Sequence, residues 1–160
     1  MIIGIDPGLG GGIAVVGRMG NLIDAVNTPV FKIKGKTVLD IYAVAKLLAE
    51  YRLADRAVIE QVGAMPGQGV TSMFNFGFST GVLHGALAAL EIQIVQVTPQ
   101  TWKKHMRLPA DKDAARRLAK SLWPKATCFD RVKDDGVAEA ALIARWSIET
   151  DKLTTPDFMR

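Results

Sequence analysis

A chain of 160 residues with 49% hydrophobic and 22% charged content suits one domain that buries roughly 70% of its unfolded surface. Those proportions exclude a disordered or low-complexity chain, and the formal net charge of +4 permits an acidic partner such as nucleic acid without requiring one. Cys128 is the only cysteine, which excludes an intrachain disulfide and fits a reducing, cytoplasmic setting.

No cluster of Cys and His has zinc spacing, and no secretory leader pattern opens the chain. The longest apolar stretch, 81–90, is interrupted by His84 and too short to span a bilayer. No membrane partner is expected.

In chain order, residues 1–6 read as a buried central strand (Ile2, Ile3, Ile5) that runs into a carboxylate, Asp6, and then into Pro7, Gly8 and Gly10 to Gly12. Residues 12–17 and 22–27 read as two more strands joined by a tight turn at RMGN. The segment 28–36 reads as a loop carrying Lys32, Lys34 and Lys36, whose alternation in an extended chain projects them to one side. A helix is expected from Thr37, with Asp40 in a capping-box-like position and Ile41, Val44, Ala45, Leu47 and Leu48 on its apolar face.

A fourth strand, AVIEQV (57–62), also runs into a carboxylate, Glu60, and a glycine-rich loop (63–69) follows. Helices are expected over 72–90, from the Thr98–Pro99 start, over 111–123 and over 134–148, with a fifth strand at 92–97. This order predicts an α/β fold: a five-stranded mixed sheet whose first three strands form an antiparallel meander, with helices on both faces. A single domain over 1–150 and a polar tail over 151–160 are expected. Right-handed crossovers place the fourth and fifth strands parallel to the first, so Asp6 and Glu60 meet at the C-terminal sheet edge where ligands bind.

The last helix adds two more acids. In KDDGVAEAALIARW, Asp135 and Glu139 are four residues apart and share a helix face with Leu142 and Ile143, which should point at the sheet. Like charges on an apolar-leaning face make sense when a cation neutralises them. Asp6, Glu60, Asp135 and Glu139 are therefore a candidate four-carboxylate site. Its oxygen-only donors favour Mg²⁺ or Mn²⁺, and two such ions about 4 Å apart suit phosphodiester hydrolysis. Read singly, Asp135 could instead cap the helix, Glu139 could be solvated and Glu60 could hold a salt bridge.

Three segments, IGIDPG, IEQV and KDDGVAEAALIA, resemble in order and spacing the RuvC group of Holliday junction resolvases, and more narrowly the phage and prophage branch. The resemblance runs from Met1 to about Trp146. It implies an RNase H-like fold, a homodimer on branched four-way DNA, and Mg²⁺-dependent hydrolysis that nicks two strands symmetrically. It implies that Asp6, Glu60 and two acids of the last helix hold the metal. Relatives space those last two acids three apart, but position 136 is glycine here, so Asp135, or Asp134 beside it, takes the role. Relatives also carry an aromatic three residues after the second acid, where this chain has Gly63. The resemblance further implies a lysine facing the scissile phosphate at Lys103 and at Lys112.

Further basic residues suit a DNA contact: Lys104 beside Lys103, Arg116, Arg117 and Lys120 along one helix, and Lys32, Lys34 and Lys36. Each group could equally be a solvated face. Gly77, Gly81 and Gly85 recur every four residues, with Phe74 and Phe78 on a shared face. Close packing on the sheet or a helix seam across a dimer axis would explain them. His84 is expected to pack there, and His105 to lie at the surface.

No nucleotide cofactor is expected. G-x-x-x-x-G-K-[ST] is absent, G-x-G-x-x-G breaks at Ile13, and the D-x-G opening shared with sugar kinases and actin-like ATPases would need a second domain. The competing readings are a catalytically idle junction-binding module, or a related nuclease acting on RNA or other branched DNA. The opening glycines are expected to form a small-residue turn that leaves space for metal and a DNA backbone beside Asp6.

Overall fold

The computed structural model describes residues 1–61, 63, 67 and 69–154, with side chains as far as Asp151. The loop expected over 63–69 therefore lies largely outside the described residues, as do the tail residues 155–160. The elements in chain order are β1 (Ile2–Asp6), β2 (Gly12–Val16), β3 (Leu22–Asn27), β4 (Val30–Ile33), β5 (Lys36–Leu39), α1 (Ile41–Glu50), β6 (Arg56–Glu60), α2 (Val70–Ala89), β7 (Ile94–Val97), α3 (Pro99–His105), α4 (Ala114–Leu122) and α5 (Asp135–Thr154).

Five strands form one sheet in the order β3-β2-β1-β6-β7. β1, β2 and β3 pair antiparallel, and β6 and β7 run parallel to β1, as the crossover argument expects. β1 lies in the middle with both faces covered, which is why its sequence is a nearly continuous apolar run. Alternation sends Ile3 and Ile5 into a core with Val44 and Leu48 of α1 and Leu83 and Leu87 of α2. Ile2 goes into a second core, on the opposite face, filled mainly by α5.

Helix α5 is apolar on most sides because it is enclosed, with Val137, Ala138 and every residue from Ala140 to Ala144 buried. Leu142 and Ile143 belong to this core, as expected. Trp102, Trp123 and Phe129 close its ends, and the Trp123 indole donates to the Gly20 carbonyl at 2.9 Å.

Beyond shifts of one or two residues at the ends of β6, α2 and β7, the structure departs from the sequence reading in four places, each for a local reason. The segment expected as a loop up to Lys36 is a hairpin: β4 pairs with β5 through Lys32↔Thr37 and Ile33↔Lys36, and Lys34 and Gly35 turn with φ of 48° and 78°. Two consecutive positive φ values are the signature of the tight hairpin turn, which Lys-Gly does not announce as Asn-Gly would. Thr37 accordingly lies in β5, and α1 starts after Asp40, whose carboxylate accepts from Ala43 N at 2.9 Å.

Helix α4 begins at Ala114 instead of Asp111, because Asp111 accepts from Asp113 N at 3.1 Å and holds a turn there. Helix α5 continues past Ile148 to Thr154. Its last turns are tied by Arg145 to Glu149 at 2.6 Å and by Arg56, which donates to Ser147 Oγ at 3.0 Å and pairs with Asp151.

Candidate active site

Asp6 and Glu60 end adjacent parallel strands. Ile5 pairs with Ile59 in register, so the next residue of each strand, Asp6 and Glu60, falls side by side on the face that α5 covers. The first turns of α5 bring Asp135 and Glu139 over the same edge. Asp6, Asp135 and Glu139 line one cleft of about 510 Å³, together with Lys103 and Lys112. Glu60 sits beneath it, 7% exposed.

Two glycines set this approach. A Cβ on Gly12 would stand 2.6 Å from the Val137 Cα, and one on Gly136 would stand 2.5 Å from the Gly10 carbonyl oxygen. The β1–β2 turn and the start of α5 thus touch backbone to backbone. The opening glycines were expected to leave space for a ligand; Gly12 instead leaves space for α5, and Gly10 alone of that run lines the cleft. The same contact explains the glycine at 136: a carboxylate there would collide with the turn carrying Asp6.

The site is electrostatically tense. Burial raises the Asp6 carboxyl to about 7, and the negative charges of Glu139 and Glu60 add to the rise. Burial also raises Glu60, opposed by a hydrogen bond from the Trp102 indole, Nε1 to Oε1 at 2.7 Å. Lys103 Nζ donates to Glu139 Oε1 at 2.7 Å and lies 5.1 Å from the centre of the Trp102 ring. Asp135 Oδ1 is buried with no hydrogen-bond partner, its nearest cation being Arg116 Nε at 3.8 Å.

This donor set fits a divalent cation: oxygen only, net negative, with one buried oxygen lacking a partner. Among the described residues no three acidic, His or Cys side chains stand close enough to grip an ion as they are placed. Lys103 supplies the positive charge at Glu139.

Asp134, the other acid considered for the last ligand, points elsewhere. It is fully buried and accepts from Arg131 N at 2.9 Å and Arg131 Nη2 at 2.8 Å. Burial alone would raise its carboxyl, but these bonds and one from Asn27 hold it below the usual range. Asp135, not Asp134, faces the cleft.

The basic residues divide. Lys103 and Lys112 line the cleft, whereas Lys104 is exposed on the outer side of α3. Arg116 turns inward toward Asp113, Asp130 and Asp135, while Arg117 pairs with Asp111 and Lys120 with Asp130. Lys32 and Lys36 lie on opposite faces of the β4–β5 hairpin, because they occupy offset positions of paired strands; the sequence reading placed them on one side.

Gly77, Gly81 and Gly85 face open space, so packing on the sheet does not account for their spacing. Phe74 and Phe78 are 73% and 52% exposed on the same helix. His84 is half-buried between Thr80 O and Gln96, and His105 meets Glu149 at 3.0 Å.

Sequence reasoning missed Trp102, and it read Arg116 as a DNA contact where the structure turns it toward Asp135. A tryptophan inside a basic run on a short helix was a usable signal, since a buried indole N–H needs an acceptor. The Arg116–Asp135 approach depends on how α4 docks on α5 and had no local signature.

The chain matches the family model described as crossover junction endodeoxyribonuclease RuvC over residues 2–123. Comparison with curated proteins by sequence gives no significant match. Among solved structures, a T. thermophilus RuvC in complex with Holliday junction substrate aligns with TM-score 0.66 at 15% identity, covering 96% of each chain. A second Thermus thermophilus RuvC structure aligns with TM-score 0.59 at 17% identity, again over 96% of both chains. The yeast mitochondrial Holliday junction resolvase Ydc2 aligns with TM-score 0.50 at 14% identity, covering 95% of this chain and 81% of that one.

Proposed function

The chain belongs to the RuvC family of crossover junction endodeoxyribonucleases, and on that premise we propose that Asp6, Glu60, Asp135 and Glu139 form its metal-binding catalytic centre. The observation that carries the assignment is the convergence of these acids at one sheet edge, where burial, with the charges of Glu139 and Glu60 adding to it, raises the Asp6 carboxyl to about 7. Family members depend on a divalent metal. We assign Mg²⁺, with Mn²⁺ as a substitute, at two positions. Such ions, when bound, activate the attacking water and stabilise the leaving oxygen.

The protein's own groups do the rest. Asp6 and Glu60 are fixed by adjacent strands, so their separation is set by sheet geometry and not by side-chain freedom. Trp102 holds the Glu60 carboxylate in one orientation through its indole N–H. Lys103 and Lys112, which line the same cleft, hold the phosphate and offset charge that develops on it. Lys104, Arg117, Lys120 and the hairpin lysines supply backbone contacts to the DNA arms.

We assign the exposed stripe of Gly77, Gly81 and Gly85, with Phe74 and Phe78, to a homodimer seam on α2, which would present two such clefts to a two-fold-symmetric junction. Two symmetric nicks then follow. No helix among the described residues is long and apolar enough to cross a membrane. A cytoplasmic role in recombination, repair or phage DNA processing is the matching setting.

The test is cleavage of a synthetic four-way junction with and without Mg²⁺. Paired symmetric nicks that disappear in Asp6→Asn, with junction binding retained, are expected. Cutting confined to linear duplex or RNA, or undiminished cutting by Asp6→Asn, refutes the reading.

A further inference from the structure

The β4–β5 hairpin combines features that the catalytic centre does not use. Its root is fixed at the catalytic edge: Thr28 N donates to Gly11 O at 3.1 Å, within the turn that follows Asp6, and Asp40 N donates to Pro29 O at 2.9 Å. Leu39, next to that root, is buried in the core under α1 and α2. Beyond it the hairpin is exposed. Four residues in each strand at about 3.3 Å apiece carry its tip about 13 Å from the root.

The exposed part is both apolar and basic. Phe31 is 45% and Ile33 49% exposed, and the strand register puts them on one face with Lys36. Lys32 projects from the other face and Lys34 occupies the tip, where φ is 48°. Among the described residues none of these three lysines is in an ion pair, whereas Arg117 and Lys120 on α4 each hold a carboxylate.

A finger with an aromatic in its middle and unpaired cations on both flanks matches one kind of partner. Two phosphate backbones that diverge at a branch present negative charge on both sides and unstacked base faces between them. A flat protein interface is a poor match, since lysine is depleted at the centre of such interfaces.

We propose that the β4–β5 hairpin enters the branch of a four-way DNA, with Phe31 stacked on a base at the branch and Lys32 and Lys36 on the two flanking backbones. This rests on the reading that the chain acts on such junctions. The catalytic acids are then aimed at phosphates a short distance from the branch, with the hairpin root as the fixed spacer.

The experiment uses a synthetic four-way junction carrying 2-aminopurine at the branch, titrated with full-length protein in Ca²⁺. Wild type should raise the 2-aminopurine fluorescence. Phe31→Ala should abolish that rise and weaken junction binding about tenfold, with linear-duplex affinity changed less than twofold. Phe31→Trp should restore both signals. Lys32→Ala/Lys36→Ala should lower the slope of log affinity against log salt by about two.

A fluorescence rise in Phe31→Ala equal to wild type overturns the proposal. So does a shift of Phe31→Ala from dimer to monomer in sedimentation, which would make the hairpin a contact with a second copy. In either case normal junction cutting by wild type leaves the nuclease reading intact. A wild type with no preference for the four-way junction overturns both.

Discussion

The Trp102 indole and the Glu60 carboxylate meet at 2.7 Å inside the protein, forty-two positions apart in sequence, with Trp102 0% and Glu60 7% exposed. Removing only the N–H, in Trp102→Phe, leaves Glu60 without its fixed donor in a dry site. Groups that orient a metal-binding residue in this way typically contribute 10–100-fold to metal affinity or activity. The Mg²⁺ needed for half-maximal junction cutting should rise by about tenfold. The bond lowers the Glu60 carboxyl, so its loss should also move the acidic limb of the pH–rate profile upward. An unchanged Mg²⁺ requirement and pH profile, with only a lower melting temperature, would reduce Trp102 to a core residue.

Asp6 predicts a stability effect of known sign. Its carboxyl is raised from 3.8 to about 7 in the folded metal-free protein. The associated stability is fully present below about pH 3.8 and is lost as pH rises through about 7. The whole shift corresponds to about 4 kcal/mol. In EDTA, wild type should lose stability between about pH 4 and 7 relative to Asp6→Asn, which carries no charge to bury. Adding Mg²⁺ should stabilise wild type and not the variant. Parallel melting curves against pH for the two proteins would contradict the tension ascribed to this site.

The two adjacent acids of the last helix should separate cleanly. Asp135→Asn should abolish cutting while leaving the melting temperature within a few degrees of wild type. Asp134→Asn breaks the Arg131 contacts of a fully buried carboxylate and should cost about 1–3 kcal/mol of stability. Thermal melts and junction cleavage on both variants decide the matter. Full activity in Asp135→Asn would remove it from the site.

Gly136→Ala tests the backbone contact that seats α5. A methyl there meets the Gly10 carbonyl at 2.5 Å, and neither neighbour is a flexible side chain. Overpacking of this kind costs about 1–3 kcal/mol, so the melting temperature should fall by several degrees and cutting with it. Gly136→Asp restores a three-residue spacing of the acids and should still be the less active protein.

The α2 stripe predicts the assembly. Gly81 faces open space, and glycine is a weak helix former, so Gly81→Glu should not destabilise the fold. Placed on a close helix seam, the charge should give a monomer by sedimentation, with paired nicking lost. A Gly81→Glu protein that remains dimeric would put the seam elsewhere.

Much of this architecture was legible because it rests on local patterns. The buried runs of β1 and β6 and the Thr98–Pro99 start of α3 each announce themselves, and crossover handedness puts Asp6 beside Glu60. What stayed hidden depended on partners distant in sequence or on unusual turns. Lys34 adopts a positive φ that its side chain does not advertise, so β4 and β5 read as a loop. Gly12 read as part of a ligand space, and Gly136 as a departure from the spacing of the acids, until the β1–β2 turn is seen against the backbone of α5. The choice between Asp134 and Asp135 turned on Arg131, a solvent-side residue whose role appears only once the chain enters α5.

The seating of α5 has a consequence for the order of biosynthesis. Chain emerging from a ribosome carries Asp6 and Glu60 from early on, but the helix bearing Asp135 and Glu139 follows every other described element, and it is also a wall of the core beneath them. A nascent protein with β1 to α4 complete lacks two of the four proposed acids and a large share of one hydrophobic layer. With the proposed site, cutting competence and the closing of this core arrive in the same event, so the enzyme stays unarmed until its synthesis has passed α5.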